Sequence, residues 1–419
     1  MSMFEPKTLV ILGRQPAFGL AELESLYGAE HLQPLPGAAL LDVPAEEINF
    51  QRLGGSLKIA RLLSVLPGSN WRSAYDYLAA NIPEHLDSLP KGTFTLGVSV
   101  YGLDVSVKKL GADLLSLKKI IRESGRSVRI VPNKELELNS AQVLRNRLTH
   151  RGAWELLLVR AGNQTYLAQT LFVQNIDAYA ARDQARPKRD ARVGMLPPKL
   201  AQIIINLTIG PVEQKVRSNA RLDGAQGAAE QRNETYKEYD ERAAEAGTQR
   251  SAKSTGGTAG SASRQAGASR IRLLDPFCGT GVILQEALLM GYHALGSDID
   301  PRMVDYAKDN IRWLVEKYPQ IQGQVAIEVA DATTHSWPHF SVVASEVYLG
   351  RPLAALPLPD KLKEIIQDVN TITKKFLANL APQLKAGQSV VIAVPAWKTK
   401  NVFVHLPVLD RLTDMGYNR

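Results

Sequence analysis

The sequence predicts an α/β chain: a parallel sheet with helices on both faces, preceded by two smaller α+β units. Three observations predict it. From Ile271 onward, strand-like and helical stretches alternate up to a last strand, "SVVIAVP", and such alternation calls for crossover helices on both faces of one sheet. Before residue 178 the alternation is tighter, with short strands and paired strands among the helices. Between the two, residues 213–270 lose every apolar period and turn rich in Gly, Ala and Ser, as in "EAGTQRSAKSTGGTAGSASRQAGASR".

Taken in order, "LVILG" reads as a strand, "GLAELESLYG" as a short helix ending at Gly28, and "AALLDV" as a strand, so residues 1–74 form one small unit. Residues 75–177 form a second. There "FTLGVSVYG" alternates as a strand, and "GADLLSLKKIIRES" carries apolar residues at helical spacing with Gly125 after it. "SVRIVP", a helix through "SAQVLRNRL", and the strands "WELLLVRA" and "TYLAQTLFV" complete it. Residues 178–212 read as a linker and a leading helix, and 213–270 as a disordered low-complexity insertion. Over 271–419 the order is "IRLLD", a helix from Val282 to Met290, "YHALGSD", a helix over Arg302–Trp313, "VAIEVAD", "VVASEVY", a helix through 360–384, and "SVVIAVP".

Composition narrows the function. A single cysteine, Cys278, excludes an internal disulfide framework and speaks against a cysteine-rich zinc site, so no metal is expected. No stretch reaches the roughly 18 uninterrupted apolar residues of a membrane span, and "MSMFEPKTLVILG" lacks the pattern of a signal peptide. The expectation is a cytoplasmic protein with no membrane partner. The net charge of +8 is localised: Lys/Arg against Asp/Glu run 7 to 10 over residues 1–100, 18 to 9 over 101–200, and 25 to 23 over 201–419. A polyanion is therefore expected on the second hundred residues, where Lys118, Lys119, Arg122, Arg126, Arg145 and Arg147 cluster on two helices and their loops.

The densest chemical signal is "LLDPFCGTGVILQEAL". A strand ends in Asp275, a turn holds Gly279 and Gly281, and a helix starts at once, so the backbone can approach a ligand closely and the first helical N–H groups face it. It is neither a Walker loop nor the GxGxxG dinucleotide pattern. The next strand ends in "GSDID", where Asp298 is placed to accept a ribose diol and Asp300 to cap the following helix. The third ends in Asp331-Ala332, where a short carboxylate can receive an exocyclic adenine amine. Three such strand ends in sequence point to S-adenosylmethionine. Cys278 is expected as a small buried turn residue, His335 and His339 as loop residues, and Trp313 and Trp337 as core.

"DPFCGTGVILQEA", the upstream "YAARDQARPKRDARVGMLPPKLAQIIINL" and the opening "TLVILGRQPAFGLAELESL" resemble the THUMP-domain tRNA guanine-N2 methyltransferases. The resemblance covers nearly the whole chain outside 213–270. It implies an N-terminal ferredoxin-like piece over 1–74, a THUMP RNA-binding domain over 75–177 and a Rossmann-like class I methyltransferase domain over 271–419. It implies a cofactor site at Asp275, Pro276, Phe277, Cys278, Gly279, Thr280, Gly281, Asp298, Ile299, Asp331 and Ala332, with tRNA as substrate and position 10 favoured. Where that family usually carries Asp-Pro-Pro-Tyr, this chain reads Ser345-Glu346-Val347-Tyr348, so Ser345, Glu346 and Tyr348 are the catalytic candidates. Neither proline is present. The alternatives are a ribosomal RNA methyltransferase, a DNA adenine methyltransferase, and an RNA-binding protein with a catalytically silent fold. Only two dozen residues follow "VVIAVP", which predicts a final helix and either a truncated sheet with an open edge or a chain that is not full length.

Overall fold

The computed structural model describes residues 4–190, 196–222, 271–350, 357–399 and 402–419, and only the backbone of 211–222. They divide into two units, the first holding the residues up to Ala178 together with 220–222, the second the remainder.

The first unit is built on one eight-stranded sheet. Its elements are β1 (Thr8–Leu12), α1 (Pro16–Tyr27), β2 (Leu32–Leu35), β3 (Ala38–Leu41), β4 (Ser56–Pro67), α2 (Trp71–His85), β5 (Phe94–Tyr101), α3 (Val107–Glu123), β6 (Val128–Ile130), α4 (Ser140–Arg145), β7 (Ala153–Ala161) and β8 (Gln164–Val173). The strand order is β2-β3-β1-β4-β8-β7-β5-β6, so the sheet draws on both expected stretches, 1–74 and 75–177, and β4 against β8 is the seam. Sequence patterning leaves β4 and α2 unassigned. β4 is fully buried at Ser56 and from Lys58 to Ala60 but mostly open from Arg61 to Val65, which hides its period.

A buried polar network closes the seam. Lys58 of β4 pairs with Glu155 of β7 and donates to the Leu138 carbonyl at 2.7 Å. Ser99 of β5 and Thr170 of β8 donate to the two oxygens of Glu155 at 2.6 and 2.7 Å. Burial drives the Lys58 ammonium downward in pKa. A buried pair is tolerable only when further hydrogen bonds support it, and here both Glu155 oxygens and the Lys58 ammonium have additional partners. α3 lies on the sheet through Leu110, Leu114, Leu117 and Ile121, the i, i+4, i+7, i+11 stripe of an amphipathic helix, and Ser106 caps its start.

The second unit starts in α5 (Ile176–Gln184) and continues through α6 (Pro198–Leu222), β9 (Arg272–Asp275), α7 (Val282–Leu289), β10 (His293–Asp298), α8 (Pro301–Lys317), β11 (Val325–Val329), β12 (Val342–Glu346), α9 (Pro359–Leu380), β13 (Val390–Ala393) and a small hairpin, β14 (Trp397–Lys398) with β15 (Phe403–Val404). β9 to β13 form an all-parallel sheet in the order β11-β10-β9-β12-β13, with Leu273, Leu274, Val342 and Val343 at its centre, none of them exposed. This agrees with the expected α/β alternation.

Two details differ from the sequence reading. α6 runs on to Leu222, into the stretch expected as insertion, and the remainder of that stretch, 223–270, lies outside the described residues. The helix expected in "LPVLDRLTDMGYNR" is instead two short 3₁₀ turns, Pro407–Arg411 and Thr413–Met415, the second stopped by Gly416 in the left-handed region. β13 is an edge of the five-stranded sheet, and β14 and β15 pair only with each other among the described residues. No described helix is long and apolar enough to cross a membrane.

Candidate active site

The strand order reverses at β9. β9, β10 and β11 step one way across the sheet, β12 and β13 the other, which makes the carboxyl ends of β9 and β12 the switch point where such sheets hold their ligand crevice. Ladder pairing between the two stops at Val343↔Leu274, one residue before Asp275.

The turn after β9 is held by its backbone. Cys278 N–H donates to the Ser297 carbonyl at 2.9 Å, and Gly281 N–H to the Cys278 carbonyl at 2.7 Å. Gly279 (φ 50°) and Gly281 (φ 85°) are both left-handed, which side chains resist. A Cβ on Gly281 would stand 3.1 Å from Ala307 Cβ, whereas one on Gly279 would meet nothing within 4 Å. Gly281 is therefore needed for packing against α8, while the space over Gly279 is open to a ligand.

Asp298, the last residue of β10, ties that turn to the next. Its Oδ2 accepts the Gly279 N–H at 2.9 Å and its Oδ1 the Asp300 N–H at 3.0 Å. Asp300 in turn caps α8 by accepting the Arg302 N–H at 2.9 Å, as its sequence position suggests. Ala330 N–H, at the end of β11, donates to the Asp298 carbonyl at 3.0 Å, which brings Asp331 to the same edge. Asp331 accepts both the N–H (2.8 Å) and the hydroxyl (2.7 Å) of Thr333, and these bonds hold its carboxyl below the usual range. Ala332 is buried, and its carbonyl is fixed by Asn379 of α9 at 3.1 Å.

Asp275 lies at the floor of the crevice, 2% exposed. Its Oδ1 accepts the Ser345 hydroxyl at 2.6 Å and the Phe277 N–H at 3.3 Å. Burial, with Asp298 and Glu346 adding like charge, pushes its carboxyl up to about 7. Burial also raises Asp298 and Glu346. It raises the Cys278 thiol well above its ordinary value too, which suits a packing residue rather than a thiolate nucleophile. Phe277 sets its ring edge-on to Phe376 at 5.0 Å, and the Pro276 carbonyl faces the Ser297 hydroxyl at 3.4 Å.

At the end of β12 and just past it, the three catalytic candidates are separated by their burial. Ser345 is fully buried and spends its hydroxyl on Asp275, so it supports the floor. Glu346 is half-buried, Val347 is buried with its N–H on the Ala393 carbonyl at 3.1 Å, and Tyr348 stands 38% exposed. Arg351, in the tail that the family resemblance includes, lies outside the described residues.

Asn310, which the sequence reading did not single out, braces the glycine turn. It is fully buried on α8, donates to the carbonyls of Thr280 and Lys188 at 2.9 Å each, and accepts the Lys188 N–H at 2.9 Å. It thereby pins the glycine turn to the Arg-rich segment after α5. Arg182 of α5 binds the buried Glu286 of α7 at 2.9 Å, a second pin. The available signal was an amide within the apolar stripe Met303, Val304, Ala307, Ile311 and Leu314.

The expected RNA-contacting residues all fall in the first unit. Lys119, Arg122, Arg145 and Arg147 are exposed and Lys118 is half-buried. Arg126 donates its guanidinium to the Pro90 carbonyl.

Residues 264–394 match the model of a family described as UPF0020, RMKL-like, methyltransferase domain. A curated tRNA (guanine(10)-N2)-dimethyltransferase of Methanothermobacter thermautotrophicus is 58% identical over 41 residues, a match spanning 10% of this chain and only 12% of that protein. TrmN from Thermus thermophilus is 15% identical over 94% of this chain and 97% of its own, with a TM-score of 0.42. SMU.472 complexed with SAH is 12% identical over 94% of this chain and 90% of its own, with a TM-score of 0.41. At scores below one half, the chemistry rests on the geometry and on the matched segment. The five-stranded sheet and its carboxyl-end crevice thus lie, up to β13, within a segment similar to the RMKL-like methyltransferase domain family.

Proposed function

We propose that the chain is an S-adenosylmethionine-dependent tRNA methyltransferase acting on the N2 amine of a guanosine, with position 10 favoured by the name of the curated relative. One observation carries the reading. Gly279 is bonded to Asp298 and Asp275 to Ser345 at the carboxyl ends of β9, β10 and β12, with Asp331 just past the end of β11 and Glu346 at the end of β12.

The residues present fit the cofactor. The open space over Gly279 would take its backbone-close portion, and Asp298 its ribose hydroxyls. Exposed Ile299 and Val329 flank Asp298 and offer apolar ledges for a purine. Three carboxyls raised by burial, Asp275, Asp298 and Glu346, favour a cationic guest, because a positive charge offsets their desolvation. When bound, S-adenosylmethionine supplies a sulfonium-borne methyl group, and the C–S electron pair stays with sulfur as the new N–C bond forms.

The remaining work belongs to the chain. A guanine N2 lone pair is delocalised into its ring, so the amine must be oriented. Glu346 accepts an amine N–H, aims the lone pair into the crevice and takes the proton released. Burial raises its pKa, which makes it a stronger proton acceptor when ionised. Tyr348 offers its exposed ring to the extruded base. Orientation and electrostatics supply most of the rate. The basic face of the first unit, centred on Lys119, Arg122, Arg145 and Arg147, would hold phosphates.

The test is methyl transfer from labelled cofactor to bulk tRNA, followed by nucleoside mass spectrometry. N2-methylated guanosine is expected, with the rate lowered roughly 100-fold or more in Glu346→Ala. Cofactor binding and RNA binding without any label in the tRNA would establish the silent RNA-binding alternative instead.

A further inference from the structure

The large exposed apolar side chains of the second unit are not scattered. Ile299 (67% exposed) and Val329 (53%) stand at the ends of β10 and β11. Tyr348, Leu349, Leu358 (80%), Val402 (62%) and Phe403 (68%) stand on the segments that follow β12 and β13. Among the described residues of this unit, only Val315 on α8 lies elsewhere. The first pair belongs to the cofactor ledge. The second group reaches past it, to the β14–β15 hairpin.

That hairpin is anchored beside the crevice. Trp397 and Leu406, at its root, are buried in the same core as Val347, the neighbour of Tyr348. Glu346 aligns with Ala393 on β13, so the hairpin leaves the sheet one strand over from the catalytic tip. Thr399 closes it, with its N–H and hydroxyl each 2.9 Å from the Val402 carbonyl. Across the ladder Lys398 faces Phe403, its ammonium 6.0 Å from the ring centroid. From Lys385 to Leu409 the sequence has no Asp or Glu and carries lysines, Lys398 among them, while His405 is held by Asp410 at 3.1 Å. An open ring next to a cation, on an acid-free stretch, has the composition of a stacking site for single-stranded nucleic acid: the ring takes a base and the lysine a phosphate.

We propose that the β14–β15 hairpin, through Phe403 and Lys398, is a stacking platform for an unpaired base of the RNA flanking the one that enters the crevice. This rests on the methyltransferase reading for the identity of the RNA, but its test does not. The probe is a short single-stranded RNA carrying 2-aminopurine, whose fluorescence is quenched on stacking, titrated into the full chain. Saturable quenching is expected with the native protein. Phe403→Ala should abolish the quenching and weaken binding roughly 5- to 100-fold, the range of one base–aromatic stack. Phe403→Tyr should restore both, and Lys398→Ala should weaken binding while leaving part of the quenching. S-adenosylmethionine affinity, measured by calorimetry, should be equal in all four proteins.

Quenching and affinity unchanged in Phe403→Ala would overturn the platform. So would sedimentation showing that this variant converts a dimer to a monomer, since the ring would then cover a second copy of the chain. If native protein transfers no methyl group yet quenches through Phe403, the methyltransferase reading falls and the platform stands. If transfer proceeds and Phe403→Ala changes neither readout, the platform alone falls.

Discussion

The two sides of the crevice are built differently. On the β9–β10 side nearly every polar group is already committed: Asp298 holds two backbone N–H groups, Asp275 holds Ser345, and Asn310 holds the turn from beneath. On the β12–β13 side Tyr348, Leu349 and Phe403 face solvent with their apolar surface uncovered. A preorganised wall suits a small ligand that must be gripped in one pose, because little further ordering is needed when it arrives. An open apolar wall suits a large partner that brings its own surface. The site therefore reads as half finished, one half awaiting a small molecule and the other a macromolecule.

The hardest blow to that division is Asp298→Ala. It removes the acceptor for Gly279 and Asp300 and the proposed ribose contact together, and hydrogen bonds to an ionised group are worth about 1.5–3 kcal/mol each. S-adenosylmethionine affinity should fall about 100-fold or more in calorimetry, while filter binding of bulk tRNA changes by less than about twofold. A matching loss of tRNA binding would show that the two walls are one structure.

The committed wall was the more legible in sequence. A strand ending in Asp275, two glycines and an immediate helix have few other physical uses, and the acids at Asp298 and Asp331 sit where parallel strands end. Ser345 was harder to read. Sequence places it at the acceptor position, but strand alternation at the switch point turns it inward to Asp275, and only the neighbouring strand reveals that. Asn310 acts through main-chain groups at positions 188 and 280, which no local pattern connects. β14 and β15 are two residues each, too short for any period. In the first unit the strands with clean alternation were legible, whereas β4, buried at one end and open at the other, was not.

Proton linkage sharpens the comparison from the committed side. Asp275 has its carboxyl pushed from 3.8 up to about 7, so the folded chain holds this proton where the unfolded chain has released it. Its contribution to stability is complete below pH 4 and is lost as pH rises through about 7. A cationic guest favours the ionised form, so cofactor affinity should rise with pH, by about tenfold between pH 6 and pH 8 for a group titrating near 7. Calorimetric titrations at both pH values, alongside Asp275→Asn, separate this from titration of the ligand itself. The variant should lose most of the slope, and an unchanged slope would place the cation away from Asp275.

The smallest effect lies at Arg147, in the first unit. α4 ends with Arg147 N–H on the Leu144 carbonyl and Leu148 N–H on the Val143 carbonyl, the two bonds of a Schellman stop. Such a stop puts its C′ residue in the left-handed region, normally a place for glycine. Here Arg147 occupies it at φ 53°. Holding a residue with a Cβ there costs about 1 kcal/mol, and in the proposed reading this exposed arginine is a phosphate contact. Arg147→Gly should therefore raise the melting temperature slightly and at the same time weaken tRNA binding a few-fold. It should also lower the slope of log affinity against log salt by about one. Greater stability with an unchanged salt slope would leave the arginine without a role in RNA binding, and the basic face would then have to be centred on α3.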